Sequence, residues 1–109
     1  MSERTIVCLC GSTRFHKEFA RANYEETMAG KIVLSVGFFM HSSQEAHGTT
    51  FACTSEQKKA LDALHLDKIN LADEVLILNV GGYIGESTSR ELQHARDAGK
   101  KIRFLEPKP

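Results

Sequence analysis

The sequence has no excess of either charge sign, no long apolar run and only three cysteines, and each shortage excludes something. Fourteen Lys and Arg balance fourteen Asp and Glu, for a formal net charge of +0. A protein that grips many phosphates along a nucleic-acid polymer carries a basic excess. No nucleic-acid polymer is therefore expected as a partner, whereas a pocket of one Arg plus backbone N–H groups needs no global charge. Balanced charge also offers no electrostatic resistance to self-association. No apolar stretch is long enough to cross a bilayer, and no secretory apolar segment follows Met1, so no membrane partner is expected. Cys8, Cys10 and Cys53 are odd in number and lack metal-ligand or paired-framework spacing. Cys8 and Cys10, two apart in an apolar run, read as small buried hydrophobes on one strand face. These shortages point to a reduced, cytoplasmic protein with no metal and no cofactor.

What is present suits one domain spanning residues 1–109: 41% of the chain is apolar and 26% charged, ordinary for a globular protein. Thr5 to Cys10 is a short apolar run stopped by Gly11, as in a strand buried on both faces. Ser12 or Thr13 can cap a helix that reaches about Met28 and stops at Gly30. Phe15, Phe19 and Ala22 form one stripe of it, and Ala20, Tyr24 and Met28 an opposite one that suits contact with a second chain. Lys31 to Val36 reads as a second buried strand. Residues 41–53, with His41 and His47, have no usable periodicity, and such stretches are usually functional or mobile. Thr54 to Gln57 fits a capping box opening a helix to about Ala72, with Leu61, Leu64, His65, Lys68 and Ala72 as its core stripe. Glu74 to Val80 is the most hydrophobic run and a third strand. A helix from about Glu86 to Ala98 and a strand over Lys101 to Leu105 follow. Strands alternating with helices give β-α-β-α-β-α-β. This is an α/β, three-layer Rossmann-like (flavodoxin-like) fold with a parallel sheet of about four strands.

In such sheets ligands bind beyond the carboxyl ends of the strands, where helix N-termini present free N–H groups. Two segments fall there. Gly11, Ser12, Thr13 and Arg14 follow the first strand, with two hydroxyls and a guanidinium suited to a phosphate or carboxylate. They match neither a Walker loop nor a dinucleotide fingerprint, and a plain capped turn with a solvated Arg is the competing reading. Gly81 to Glu91 follow the third strand. Here Gly82 and Gly85 allow close approach, and Ser87, Thr88 and Ser89 add hydroxyls to the helix-end N–H groups. Glu91 reads either as a catalytic carboxylate or as the far member of a capping box opened by Thr88. Glu86 is the rival carboxylate, in a Gly-flanked loop that suggests exposure. His65 reads either as a buried core histidine or as a group near the ligand; His94 reads as solvated.

The strand leading into Gly11, Ser12, Thr13 and Arg14, Ala72 and Asp73 opening a hydrophobic strand, and the Gly/Ser turn leading to Glu91 and Leu92 with Ala95 and Gly99 together resemble the nucleoside 2-deoxyribosyltransferase-like superfamily. That group includes nucleoside deoxyribosyltransferases and nucleoside 5′-monophosphate N-glycosidases. The chain also resembles small uncharacterised bacterial and phage proteins in the runs around His65 to Val75 and Gly81 to Thr88. The resemblance implies an N-glycosidase acting on a (deoxy)nucleoside 5′-monophosphate or related nucleotide. Glu91 would attack the anomeric carbon, and Gly11, Ser12, Thr13 and Arg14 would contact substrate. Ser87, Thr88 and Ser89 would lie near its phosphate, with Gly85 the closest match to the relatives' phosphate-binding Ser. Relatives usually place Gly at the positions held here by Ser87 and Ser89, and several have an acidic residue where His65 stands. His65, with an ordinary pKa near ~6.5, suits protonation of the departing base. The alternatives are a non-catalytic nucleotide-binding module, used as sensor or sequestering protein, and a homo-oligomeric scaffold. A homodimer or higher homo-oligomer is expected, because a four-strand sheet alone has few ways to cover both faces and wall a pocket.

Overall fold

The computed structural model describes residues 3–37 and 54–107. The irregular stretch 41–53, with His41, His47 and Cys53, lies outside the described residues. Four strands, β1 (Ile6–Cys10), β2 (Ile32–Leu34), β3 (Glu74–Ile77) and β4 (Lys101–Phe104), form one parallel sheet in the order β2-β1-β3-β4. Helices α1 (His16–Met28), α2 (Ser55–Leu71) and α3 (Glu86–Asp97) alternate with them. The expected α/β Rossmann-like architecture is the observed one.

The layers follow from the strand pleat. Val7 and Leu9 of β1 and Leu76 and Leu78 from β3 and its exit pack with Phe19 and Ala22 of α1 on one side of the sheet. Cys8, Cys10, Val75 and Ile77 pack with Ile69 of α2 and Leu92 and Ala95 of α3 on the other. The two central strands are covered on both faces, so they read as continuous apolar runs. By contrast β2 is an edge strand with Ile32 46% exposed, where a fully buried strand was expected. An edge strand is packed less completely, because only one neighbour flanks it.

Local signals account for the helix ends. Gln57 N donates to Thr54 Oγ1 at 3.1 Å and Thr54 N to Gln57 Oε1 at 2.9 Å, completing the expected capping box. Ser12 caps a single 3-10 turn, Thr13–Phe15, that leads into α1. The core side of α2 differs from the expected stripe. His65 and Ile69 are buried and Leu64 is half exposed. Lys68 donates from Nζ to the Ser35 carbonyl at 2.6 Å. The buried residues of α2 lie in its second half, and none from Ser55 to Leu64 is buried. None of the described helices is long and apolar enough to cross a membrane.

Candidate active site

Helix α2, between Lys58 and Lys68, walls a cavity of about 340 Å³ over the carboxyl ends of β1 and β3. Strand order reverses here, with β1 followed by its neighbour β2 on one side and β3 on the other. A cavity of this size is in the range that holds a small ligand. Gly11, Ser12 and Thr13 line it from the β1 turn, His65 from α2, and Gly85, Ser87, Thr88 and Glu91 from α3 and its entry. Most of the sequence-predicted site residues are thus brought together. Arg14, Gly82 and Ser89 are exposed and are not among the lining residues.

Each turn has a local cause. A side chain at Gly11 would meet the Leu78 Cβ at 3.0 Å and its carbonyl oxygen at 3.3 Å, so glycine there lets two turns pack closely. Gly81 and Gly82 have φ of 62° and 82°, the left-handed region that favours glycine. The N–H of Gly81 already donates to the Glu106 carboxylate at 3.1 Å, and that of Gly82 to the Asn79 carbonyl at 2.9 Å. Those donors are satisfied within the chain rather than pointed at a ligand. Arg14 lies over the Tyr83 ring, 4.6 Å from its centroid, and Tyr83 lines the cavity.

Helix α3 begins at Glu86 with Gly85 as its N-cap and no side-chain cap bond. That corrects the capping-box reading of Glu91, because Thr88 lies inside the helix and Glu91 in its second turn. Its opening turn, whose N–H groups have no intrahelical acceptor, lines the cavity through Glu86, Ser87 and Thr88. Glu86 itself is exposed, as expected, but opens the helix rather than sitting in a loop, and pairs one turn on with Arg90 at 3.3 Å. His94 is half buried and meets Asn70 Oδ1 at 2.8 Å, tying α3 to α2 rather than facing solvent.

Glu91 is the unusual group. Its side chain is only 14% exposed, and its Oε1 is buried without a hydrogen-bond partner, 3.9 Å from His65 Nε2. Burial pushes its carboxyl up to about 7, against the opposing pull of His65. Behind His65 lie two thiols that the sequence suggested were merely core: Cys10 Sγ is 3.5 Å and Cys8 Sγ 3.7 Å from the same Nε2. A hydrogen bond from Cys10 brings Cys8 down to about 6, while Cys10 is raised by its bond to Cys8 and by burial. Burial opposes charge on His65, but the thiol and charge of Cys8 and the charge of Glu91 outweigh it, so its pKa is raised. The chain therefore holds a carboxylate, an imidazole and two thiols at the rear of one cavity. Asp62 also lines it, paired with Lys58 at 3.4 Å, whereas Asp67 is exposed and does not.

No family model matches the chain, and no curated protein sequence matches it. A solved structure does. A 2-deoxyribosyltransferase from the psychrotolerant bacterium Bacillus psychrosaccharolyticus superposes with a TM-score of 0.65, covering 95% of this chain and 77% of that one at 16% identity. The chain has the 2-deoxyribosyltransferase fold. The likeness agrees with the fold that the family resemblance implies. At this identity it fixes the architecture and leaves the chemistry to the site residues.

Proposed function

We propose that the protein is an N-glycosidase acting on a nucleoside 5′-monophosphate or closely related nucleotide, with Glu91 as nucleophile. The observation that carries this reading is the Glu91 carboxylate, buried at a cavity wall with Oε1 left without a partner. A buried polar atom without a partner costs about 1–3 kcal/mol and more when charged, so its retention calls for a role. The fold of a 2-deoxyribosyltransferase supports a nucleoside-type ligand. The uncapped start of α3, with Ser87 and Thr88, suits the phosphate.

In the proposed reaction a Glu91 oxygen attacks the sugar C1′ as the bond from C1′ to the base nitrogen breaks. The electron pair of that bond leaves with the base, which takes a proton from His65. Water then attacks C1′, returns a proton to His65, and frees Glu91 and the sugar phosphate. Gly11, Ser12 and Thr13 hold the substrate from the opposite turn, and Arg14, Gly82 and Ser89 are assigned to the rim. The non-catalytic reading loses one of its two supports, the capping box, because α3 starts at Glu86; the other, Ser87 and Ser89 in place of the relatives' Gly, stands. A base-release assay over a panel of nucleotides, run beside thermal-shift binding, tests the proposal. Released base with a monophosphate is expected; a thermal shift without release would replace the enzyme by a binding module.

Two further expectations belong to this reading. Tyr24 and Met28, 65% and 69% exposed on α1, support pairing of two copies through that helix; sedimentation of Tyr24→Lys against the parent checks it. The free, buried Cys8 and Cys10 suit a reducing, cytoplasmic setting, and fractionation of tagged protein checks that.

A further inference from the structure

We infer that Cys8, Cys10 and His65 form a binding site for one thiophilic divalent cation, with Zn2+ as the representative, at the rear of the cavity. The two thiols project from alternate positions of β1 onto one sheet face, and α2 lays His65 across them. Their Sγ atoms and a ring nitrogen of His65 all lie within 4.8 Å of one another. Zinc held at about 2.3 Å from sulfur and about 2.0–2.1 Å from nitrogen at a tetrahedral angle requires S···N edges of about 3.6 Å. The observed edges are 3.5 Å and 3.7 Å. Both S···N edges therefore match those of a tetrahedral cation site.

Hydrogen bonding alone serves this cluster poorly. Nε2 has one in-plane bonding position, yet two sulfurs and the Glu91 Oε1 converge on it, and Oε1 stays without a partner. A cation among them would use the ring nitrogen and both sulfurs at once and leave a fourth position facing Oε1. Two thiolates neutralise a dication, so the cation and its two sulfurs together carry no net charge. Sulfur donors favour Zn2+ or Cu+ over Mg2+ and Ca2+. The entry path is the cavity itself, which His65 lines. Loading would occupy Nε2 and draw Glu91 from the sugar, so a loaded chain would not turn over; that consequence rests on the function proposed above, the site does not.

Cobalt(II) is the probe, added to reduced full-length chain carrying Cys53→Ser so that only the two thiols in question remain. The expected result is a thiolate-to-cobalt charge-transfer band with intense visible bands, saturating at one ion per chain and erased by Zn2+. One equivalent of Zn2+ should also slow alkylation of both thiols at least about tenfold. Glu91→Gln should keep the charge-transfer band while losing base release, which separates the two proposals. Absence of the band in that parent, thiols left unprotected by Zn2+, or a band surviving in the folded Cys8→Ser/Cys10→Ser variant would each overturn the site. The parent measurements decide the matter even if the double variant fails to fold.

Discussion

Two buried carboxylates stand at opposite ends of the sheet and are treated in opposite ways. Glu74, the first residue of β3, has a side chain 5% exposed and is paired with Lys31 at 3.4 Å and Arg103 at 3.2 Å. Glu26 joins the same network through Lys31 and Arg103. Glu91, at the carboxyl ends of the strands, is nearly as buried, yet its Oε1 has no hydrogen bond and no Lys or Arg pairs with it among the described residues. A buried ion that is matched by partners serves the fold, because removing one member strands the others. A buried carboxylate faced only by one imidazole at 3.9 Å weakens the fold and is retained where chemistry needs it.

The two ends of the sheet should part most visibly at Glu91. Glu91→Gln should reduce base release from a nucleoside monophosphate by about 10³-fold or more. Its urea stability should stay within about 1 kcal/mol of the parent, because the charge contact it loses is a 3.9 Å approach to His65 and Oε1 gives up no hydrogen bond. Glu74→Gln should do the reverse. It removes the charge facing Lys31 and Arg103 and should cost ~2–3 kcal/mol, below the ~3–5 of a fully buried pair because both cations keep some water contact. Base release at a permissive temperature should survive it. Equal effects of the two substitutions on both readouts would erase the distinction between the two ends.

The third prediction concerns acid. Burial works to raise the Glu26 carboxyl, but hydrogen bonds from Arg103 and Lys31 outweigh it and hold its pKa below the usual 4.5. A depressed folded value means that Glu26 contributes stability above the unfolded value, and that this is lost as pH falls through the folded one. Urea midpoints between about pH 6 and pH 3 should fall more steeply for the parent than for Glu26→Gln. The smallest effect belongs to the uncapped helix start. Ser87→Ala should weaken a monophosphate by about 1 kcal/mol, roughly fivefold in KM, and leave the unphosphorylated nucleoside unchanged.

The architecture was legible because its signals were local and redundant. Continuous apolar runs at β1 and β3 meant strands covered on both faces, and Thr54 with Gln57 marked a helix start that the structure reproduces bond for bond. Edge position was not legible: Lys31 to Val36 reads as apolar as a central strand, and only sheet order exposes Ile32. The candidate site was half legible. Glycines, hydroxyls and Glu91 could be placed at strand ends from their order, whereas the cap reading of Glu91 failed because the helix starts three residues earlier than Thr88 would require of a box. The meeting of Cys8, Cys10 and His65 had no sequence signal, since fifty-five positions separate Cys10 from His65 and only the packing of α2 on β1 joins them. Tyr83 and Asp62 were likewise brought to the cavity by tertiary packing.

The step most open to direct proof is the covalent bond between Glu91 and the sugar. Intact mass and peptide mapping of chain quenched after reaction with a 2′-fluorinated nucleoside monophosphate, whose intermediate hydrolyses slowly, test it directly. One sugar phosphate per chain is expected, attached at Glu91 and absent from Glu91→Gln. Base release with no adduct at Glu91, or with the adduct at Glu86, would contradict it.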